Sequence, residues 1–265
     1  MTAATPTDEI IFTLVIPAYN EGNNLSSVLD DVLATLVESP KAQPFEVLVV
    51  DDGSTDDTGQ VADDYARRFR DIRVFHHATN QGLGVGLRTG FSHSRGKFVS
   101  WIAADGQVKA EQAVKLLNIA ENADFITTRR VAVTVEAGAE NRPCLRRILS
   151  WCMHILCRAC LGAYPSHFTG IYMVRGSYLR SVPLCSRTGL VGMELYFQSL
   201  ERQVRLAHGE MAVCPRLSGK SKVATPSGIM KSIIGMLKMR CYLQKSRGIT
   251  LAATGTSAKP TSGAD

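Results

Sequence analysis

Short apolar runs alternate with amphipathic stretches through the first half of the chain. Residues 10–16 (IIFTLVI) form a continuous apolar run rich in β-branched side chains, which is typical of a strand buried on both faces of a parallel sheet. Pro17 ends the run. Apolar residues then recur at helical spacing, namely Leu25, Val28, Leu29, Val32, Leu33 and Leu36. These positions predict one strand–helix unit.

The same alternation continues to about residue 127. Further strands are predicted at residues 45–50, 72–75, 97–102 and 124–127, and further helices at 61–69, 83–94 and 110–121. Beyond this point the alternation breaks down. Strands that alternate with helices predict an α/β fold, a Rossmann-like and mostly parallel sheet with helices on both faces.

Polar side chains follow three of these strands. They are Tyr19-Asn20-Glu21, Asp51-Asp52-Gly53-Ser54 and Asp105-Gly106-Gln107. The carboxyl ends of parallel strands meet at one edge of a sheet, so we expect these residues to share a crevice, with Asp105 at an exposed strand end. Carboxylate and amide oxygens suit ribose hydroxyls, base N–H groups and a hard divalent cation. An ordinary turn is the alternative for the second segment alone.

Composition and charge restrict the class of protein. The 265 residues are 45% hydrophobic and 20% charged, which is ordinary for one large or two small globular domains. The net charge is +6, and bases dominate from Arg129 onward, which suits an anionic partner. Seven irregularly spaced cysteines argue against a disulfide framework and for reduced cytosolic thiols. Neither a secretory signal nor an apolar stretch of about 18 residues is present, so we expect no membrane span.

The glycine-rich segment GLGVGL begins at Gly82 and resembles a dinucleotide-binding fingerprint. Its third glycine, Gly86, stands one place too early, and the segment follows the third predicted strand instead of the first. The pattern therefore does not favour a nicotinamide-dependent dehydrogenase. We interpret these glycines as a tight and flexible start of a helix near the ligand.

Several motifs together carry a family resemblance. The segments VIPAYNEGNNL, VVDDGSTDDT, NQGLGVGLRTGF and ADGQ, in this order, resemble the GT-A catalytic domain of family 2 inverting glycosyltransferases. The segments LRRILSW, FTGIYMVR and CPRLSGKSKV are similar to the dolichyl-phosphate mannose synthase branch, whose members load a sugar onto a polyprenyl phosphate. The resemblance implies a catalytic domain over residues 1–225. A basic amphipathic helix over 226–248 and a disordered tail over 249–265 are expected to follow.

The resemblance also implies how the donor is held. Asp105 and Gln107 would hold Mg²⁺ or Mn²⁺ on the diphosphate, and Gly106 would keep the backbone clear of the sugar. The residues implied for the base and ribose of a UDP- or GDP-type nucleotide-sugar are Pro17, Ala18, Tyr19, Glu21 and Asp51, with Asp52 nearby.

Four further residues are implied around the phosphates. Arg216 and Ser221 would close a loop over the donor, whereas Arg129 and Arg147 would receive the acceptor phosphate. Arg130 is an alternative to Arg129, and each arginine is alternatively a solvated surface charge. A phosphate acceptor needs no strong general base, because it is already an anionic nucleophile.

Two departures from the family pattern leave alternatives open. Ala103 occupies the first position of the usual Asp-x-Asp motif, and His167 stands where relatives often carry Asp. These changes indicate a different donor or acceptor, or a weakened module that only binds nucleotide-sugars. If the acceptor were a hydroxyl group, Glu194 would be the candidate general base, and its alternative role is structural.

The segment over 228–243 bears on membrane contact. Its apolar residues are interspersed with Lys231, Lys238 and Arg240, a pattern that suits a basic helix on an anionic membrane surface. A helix packed on the domain is the alternative. We therefore expect a cytoplasmic protein, peripheral on the cytosolic membrane face, with a polyprenyl phosphate acceptor and a separate membrane-anchoring protein as partners. No nucleic-acid partner is expected.

Overall fold

The computed structural model describes residues 9–131, 170–214 and 234–238, with the single helical positions 155, 158 and 240. The strands are β1 (Phe12–Ala18), β2 (Phe45–Asp51), β3 (Ile72–His76), β4 (Phe98–Trp101), β5 (Phe125–Val131), β6 (Tyr172–Arg175) and β7 (Leu206–Ala212). The helices are α1 (Gly22–Glu38), α2 (Thr58–Arg68), α3 (Leu83–His93), α4 (Ala110–Ala120), α5 (Gly176–Ser181) and α6 (Val191–Glu201).

The strands form one seven-stranded sheet in the order β3-β2-β1-β4-β6-β5-β7. The first four strands run parallel to one another, β6 is antiparallel to both of its neighbours, and β7 is parallel to β5. The predicted mostly parallel α/β sheet is confirmed. From β1 the chain proceeds to β2 and β3 on one side and returns to β4 on the other side. This reversal creates a topological switch point between β1 and β4.

Two apolar clusters cover the two faces of the sheet. Alternate side chains of β1 point to opposite faces, so Leu14 and Ile16 join the cluster with α1, α2 and α4, whereas Val15 joins α3, α5 and α6. All seven residues of β1 and of β2 are buried. Burial on both faces explains why their sequences read as continuous apolar runs and not as alternating ones.

Helix α3 approaches its neighbours closely at two glycines. A Cβ added at Gly90 would lie 2.2 Å from Cγ1 of Val15, and one added at Gly84 would lie 2.2 Å from the carbonyl oxygen of Thr188. Gly82, directly before the helix, has a φ of 94°, which glycine adopts without steric cost. The glycine-rich segment therefore makes the predicted tight helix start, whereas close packing accounts for Gly84 within the segment and for Gly90 after it.

The C-terminal helix is described only in part. Residues 234–238 and 240 are helical, with Met236 buried and with Ile234, Leu237 and Lys238 exposed. The rest of the helix predicted over 226–248, and the tail over 249–265, lie outside the described residues. Within the described part of the chain, no helix combines the length and the apolar character needed to cross a bilayer.

Candidate active site

The three polar strand ends lie side by side at the carboxyl edge of the sheet. In the strand register, Ala18 of β1 pairs with Asp51 of β2, and Asp51 pairs with His76 of β3. On the other side of β1, strand β4 leads to Asp105 through three intervening residues. The crevice therefore forms at the switch point between β1 and β4, the position where open α/β sheets bind ligands.

The loop after β1 is fixed to the loop after β2. The backbone N–H of Asn20 donates to Oγ of Ser54 at 3.0 Å, and the N–H of Thr55 donates to Oδ1 of Asn20 at 2.8 Å. The N–H of Glu21 donates to Oγ1 of Thr58 at 2.8 Å. Pro17 and Ala18 are the last two residues of β1, and Tyr19 follows them half-buried. These bonds hold the first two strand-end loops as one unit.

Asp51 is buried at the end of β2 and contacts a histidine. Its Oδ1 accepts the N–H of Ser54 at 3.0 Å, and its Oδ2 lies 3.0 Å from Nδ1 of His76. Burial raises the pKa of Asp51, but the hydrogen bonds from Ser54 and His76 outweigh burial and leave the pKa lowered. Nε2 of His76 lies 3.1 Å from Asp63, and the hydrogen bond to Asp51, followed by that to Asp63, raises the pKa of His76.

Asp52 holds the start of α3. Its Oδ1 accepts the N–H of Gln81 at 3.0 Å, and its Oδ2 accepts the N–H of Gly82 at 2.7 Å. Nδ1 of His77 lies 2.6 Å from the same Oδ1, and Nε2 of His77 lies 2.9 Å from Oγ1 of Thr89. From the sequence we expect Asp52 only near the donor, and His76 and His77 are not among the candidate site residues. The signal available for them was an adjacent histidine pair at the end of a predicted strand.

Asp105 and Gly106 are buried and Gln107 is half-buried, whereas we expected Asp105 at an exposed strand end. The exposed fraction of Asp105 is only 7%, and its Oδ1 accepts the N–H of Gln107 at 3.0 Å. Gly106 has a φ of 71°, in the left-handed region that favours glycine. The carbonyl oxygen of Gln107 accepts the N–H of Cys214 at 2.8 Å, so the chain that follows β7 contacts the turn.

The donor set of this turn fits a cation that is shared with a ligand. Among the described residues, no cluster of three or more His, Cys, Asp or Glu side chains is arranged to hold a metal ion by itself. Mg²⁺ typically binds through one or two carboxylates and completes its shell with water and substrate phosphates. Asp105 and the amide oxygen of Gln107 supply hard oxygen ligands of this kind. The chemistry of the turn thus suits a metal–diphosphate complex better than a resident metal.

The predicted arginines are only partly covered by the structure. Arg129 lies near the end of β5, where its Nη2 is 2.6 Å from Oε1 of Glu210 in an exposed ion pair. Arg147, Arg216 and Ser221 lie outside the described residues, as does His167. The bond between Gln107 and Cys214 nevertheless fixes the described chain two positions before Arg216 at the Asp105 turn.

Glu194 is a buried carboxylate with a structural role. It lies in the first turn of α6 with 1% of its surface exposed. Its two oxygens accept the N–H groups of Cys185 and Ser186, each at 2.8 Å. Burial raises the pKa of Glu194, and the two backbone hydrogen bonds and the charge of Arg88 oppose that shift. A cavity of about 750 Å³ beside it is lined by Thr79 to Gln81, residues 185–188, Ile234, Gly235 and Lys238.

Comparison with known proteins adds a family match and several named relatives. A family model described as glycosyl transferase family 2 matches residues 13–170, more than half of the chain. A dolichyl-phosphate beta-glucosyltransferase of Trichomonas vaginalis is 33% identical over 156 residues, covering 56% of this chain but only 46% of its own length. The chain therefore spans about half the length of that relative.

A bacterial relative is covered more fully. The undecaprenyl-phosphate mannosyltransferase of Micrococcus luteus is 33% identical over 176 residues, which are 64% of this chain and 68% of that protein. Among solved structures, glucosyl-3-phosphoglycerate synthase from Mycobacterium tuberculosis, in complex with Mn²⁺, UDP and glucosyl-3-phosphoglycerate, has a TM-score of 0.61. It is 20% identical, and the match covers 87% of this chain and 80% of that one. At this identity the likeness is one of fold alone.

Proposed function

Because the chain belongs to glycosyl transferase family 2, we propose that it transfers a sugar from a nucleotide-sugar to a polyprenyl phosphate. The family that the motifs predicted is thereby confirmed, and the activity is our proposal. The observation that supports it most is the switch point between β1 and β4, because open α/β sheets bind ligands at this position. Asp51 ends the strand on the other side of β1, and Asp105 follows β4, so both lie at the same edge of the sheet. The names of the dolichyl- and undecaprenyl-phosphate relatives support the acceptor class.

The donor is proposed to bind as a metal complex of UDP or GDP type. Asp51, with a lowered pKa, is ionised near neutral pH and is suited to accept hydrogen bonds from ribose hydroxyls or base N–H groups. Pro17, Ala18, Tyr19 and Glu21 are proposed to complete the nucleoside contacts. Asp105 and Gln107 would hold Mg²⁺ or Mn²⁺, which would neutralise charge on the departing diphosphate.

The acceptor is proposed to react without a strong general base. A phosphate monoester is an anion near neutral pH, so orienting it in line with the anomeric carbon suffices for displacement with inversion. Arg147, together with Arg129 or Arg130, is proposed to bind its oxygens, because a guanidinium fork matches phosphate geometry. Arg216 and Ser221 are proposed to close over the donor phosphates. The bond from Cys214 to Gln107 supports this role for the segment that follows.

The proposed location follows from the acceptor. A lipid acceptor requires contact with a bilayer, and the basic helix predicted over 226–248 is suited to an anionic surface. We infer a peripheral protein on the cytosolic membrane face, assisted by a separate membrane-anchoring protein.

The test is a transfer assay with separate donor and acceptor readouts. Wild-type protein is incubated with UDP- and GDP-sugars, a short polyprenyl phosphate, and Mg²⁺ or Mn²⁺, and the lipid product is quantified. We expect Asp105→Asn to abolish metal-dependent transfer, with Asp64→Asn, a change at a half-exposed acid of α2, as the matched control. Full turnover by Asp105→Asn would remove this residue from the metal site.

A second variant tests the acceptor role. We expect Arg147→Lys to reduce transfer to polyprenyl phosphate strongly and to leave donor affinity, measured by thermal shift, nearly unchanged. Arg146→Lys serves as the neighbouring control. Unaltered transfer by Arg147→Lys, or a loss of donor affinity instead, would contradict an acceptor-phosphate role. Metal-dependent donor binding without transfer to any acceptor would favour the alternative of a binding module that has lost catalysis with Ala103.

A further inference from the structure

A cavity of about 670 Å³ opens along α3, on the face of the sheet that also carries α5 and α6. One wall is formed by α3 itself, and the other by the segment over residues 179–187. None of the strand-end residues assigned to the candidate active site lines this cavity. The cavity is thus distinct from the strand-end residues, and Gln81, whose N–H donates to Asp52, also lines it.

The cavity has a marked excess of positive charge. Arg88, Arg180 and Arg187 line it, and no aspartate or glutamate does. We call this feature the arginine groove. Elsewhere in the described chain, arginines commonly meet a carboxylate, as Arg95 meets Glu46 at 2.8 Å.

The side chains of the three groove arginines form no hydrogen bond or ion pair with any described residue. Arg88 does influence Glu194, whose pKa its charge helps to lower, but no bond joins the two side chains. The guanidinium of Arg180 lies over Gly176, where an added Cβ would come within 2.8 Å of Nη1. With three guanidinium groups and no carboxylate along the cavity, its charge favours a bound anion.

The floor of the groove is apolar. Phe91, Leu179 and Val182 are buried beneath it, and Val85 and Leu184 are half-buried along its sides. A guanidinium fork binds phosphate oxygens bidentately, whereas an apolar floor favours hydrocarbon. The volume lies within the range of about 300–1,000 Å³ that is usual for small-molecule sites. Both halves of an amphiphilic phosphate thus find matching surfaces.

We propose that the arginine groove binds a phosphate monoester group carried on an apolar chain. The site goes beyond the proposed transferase function, because it lies outside the crevice and requires no catalysis. Two sources share this chemistry, a membrane lipid with a phosphate monoester head group and a long-chain alcohol phosphate of the acceptor class. Occupancy would hold the face with α3 against a bilayer.

The experiment is vesicle flotation with the full chain. Neutral phosphatidylcholine vesicles carry either phosphatidic acid or a polyprenyl phosphate, and bound protein is measured over a range of lipid concentrations. The groove triple variant, Arg88→Gln/Arg180→Gln/Arg187→Gln, is expected to bind at least about tenfold more weakly in one or both arms. The arm that shows the loss identifies the source of the phosphate. The corresponding triple lysine variant retains the positive charge but lacks the planar guanidinium groups, so its vesicle affinity should lie between those of wild type and the glutamine variant.

A charge-matched control distinguishes binding at the arginine groove from non-specific electrostatic attraction to the vesicle. The triple variant Arg67→Gln/Arg68→Gln/Arg70→Gln removes the same charge near the end of α2, and we expect it to bind within about twofold of wild type. Equal losses in both triple variants, or no loss from the groove variant in either arm, would overturn the proposal. If the groove triple variant does not fold, the single changes at the exposed Arg180 and Arg187 are used with the same criteria.

Discussion

Two glycines of α3, four residues apart, provide a sharp test of the packing. Replacing glycine by alanine inside a helix ordinarily raises stability by about 0.8–1 kcal/mol, because glycine loses more backbone entropy on folding. We compare Gly90→Ala with Gly86→Ala. Both positions are buried in the same helix, so the gain in helix propensity is common to the two variants.

The surroundings of the added methyl group differ. At Gly90 it would lie 2.2 Å from Cγ1 and 3.1 Å from Cγ2 of Val15, which is fully buried. Carbon atoms pack at about 3.5–4 Å, so β1 or α3 would have to move by more than an ångström, at a cost of about 1–3 kcal/mol. At Gly86 the nearest atoms are Cβ of Pro17 at 3.5 Å and Cγ1 of Val50 at 3.9 Å, which is ordinary contact.

The expected difference between the two variants is therefore about 1–3 kcal/mol, with Gly86→Ala at or above wild type and Gly90→Ala below it. Urea unfolding measures it as a shift in midpoint at constant m-value. The double variant Gly90→Ala/Val15→Ala should lose less stability than the two single losses combined, because the clashing atoms are gone. The reasoning is refuted if Gly90→Ala is as stable as Gly86→Ala.

Three further predictions concern side chains that the tertiary structure brings together. Asp52→Asn should destabilise the fold by about 1–3 kcal/mol, because Gln81 and Gly82 donate to different oxygens and the NH2 group that replaces one of them cannot accept. Asp64→Asn at a half-exposed acid is the control, and equal urea midpoints for the two variants would contradict this prediction. Glu194→Gln should cost a similar amount, because one N–H of the 185–186 loop loses its acceptor, and calorimetry at neutral pH would detect it. The pKa of His76 is raised in the folded protein, so its stabilisation is present below the unfolded pKa of about 6.5 and is lost as the pH rises through the folded value. The stability advantage of wild type over His76→Gln should shrink over that interval, and a pH-independent difference would exclude this linkage.

Much of the fold could be predicted from local patterns. The apolar runs of β1 and β2 and the helical stripe of α1 appear directly in the sequence, because each records which faces of the element are buried. The same patterns placed Asp51 and Asp105 at strand ends, and the order of the motifs indicated the family. These features are local, since each depends on residues close together in the chain.

Other features arise only where distant segments meet. Strand β6 lies antiparallel between β4 and β5, although its sequence begins more than forty positions after β5 ends. The hydrophobic periodicity of the sequence does not predict this pairing. The prediction that Asp105 is exposed was wrong, since its burial depends on the fold around its turn, which includes a hydrogen bond from the distant Cys214 to Gln107. From the sequence alone His77 is a loop residue after a predicted strand, and only the fold places its side chain beside Asp52.

The glycines of α3 and the arginine groove show the same division. The sequence alone determined that α3 is a helix with a glycine-rich start. Only the tertiary structure decided that Val15 packs directly against Gly90 and that Arg88 lines the same cavity as Arg180. The physical reason is that hydrophobic periodicity shows which face of a helix or strand is buried. It does not show which other elements pack against that face, and those elements determine the side-chain contacts. Which elements pack together is set by strand order and crossover direction, and these are properties of the whole sheet.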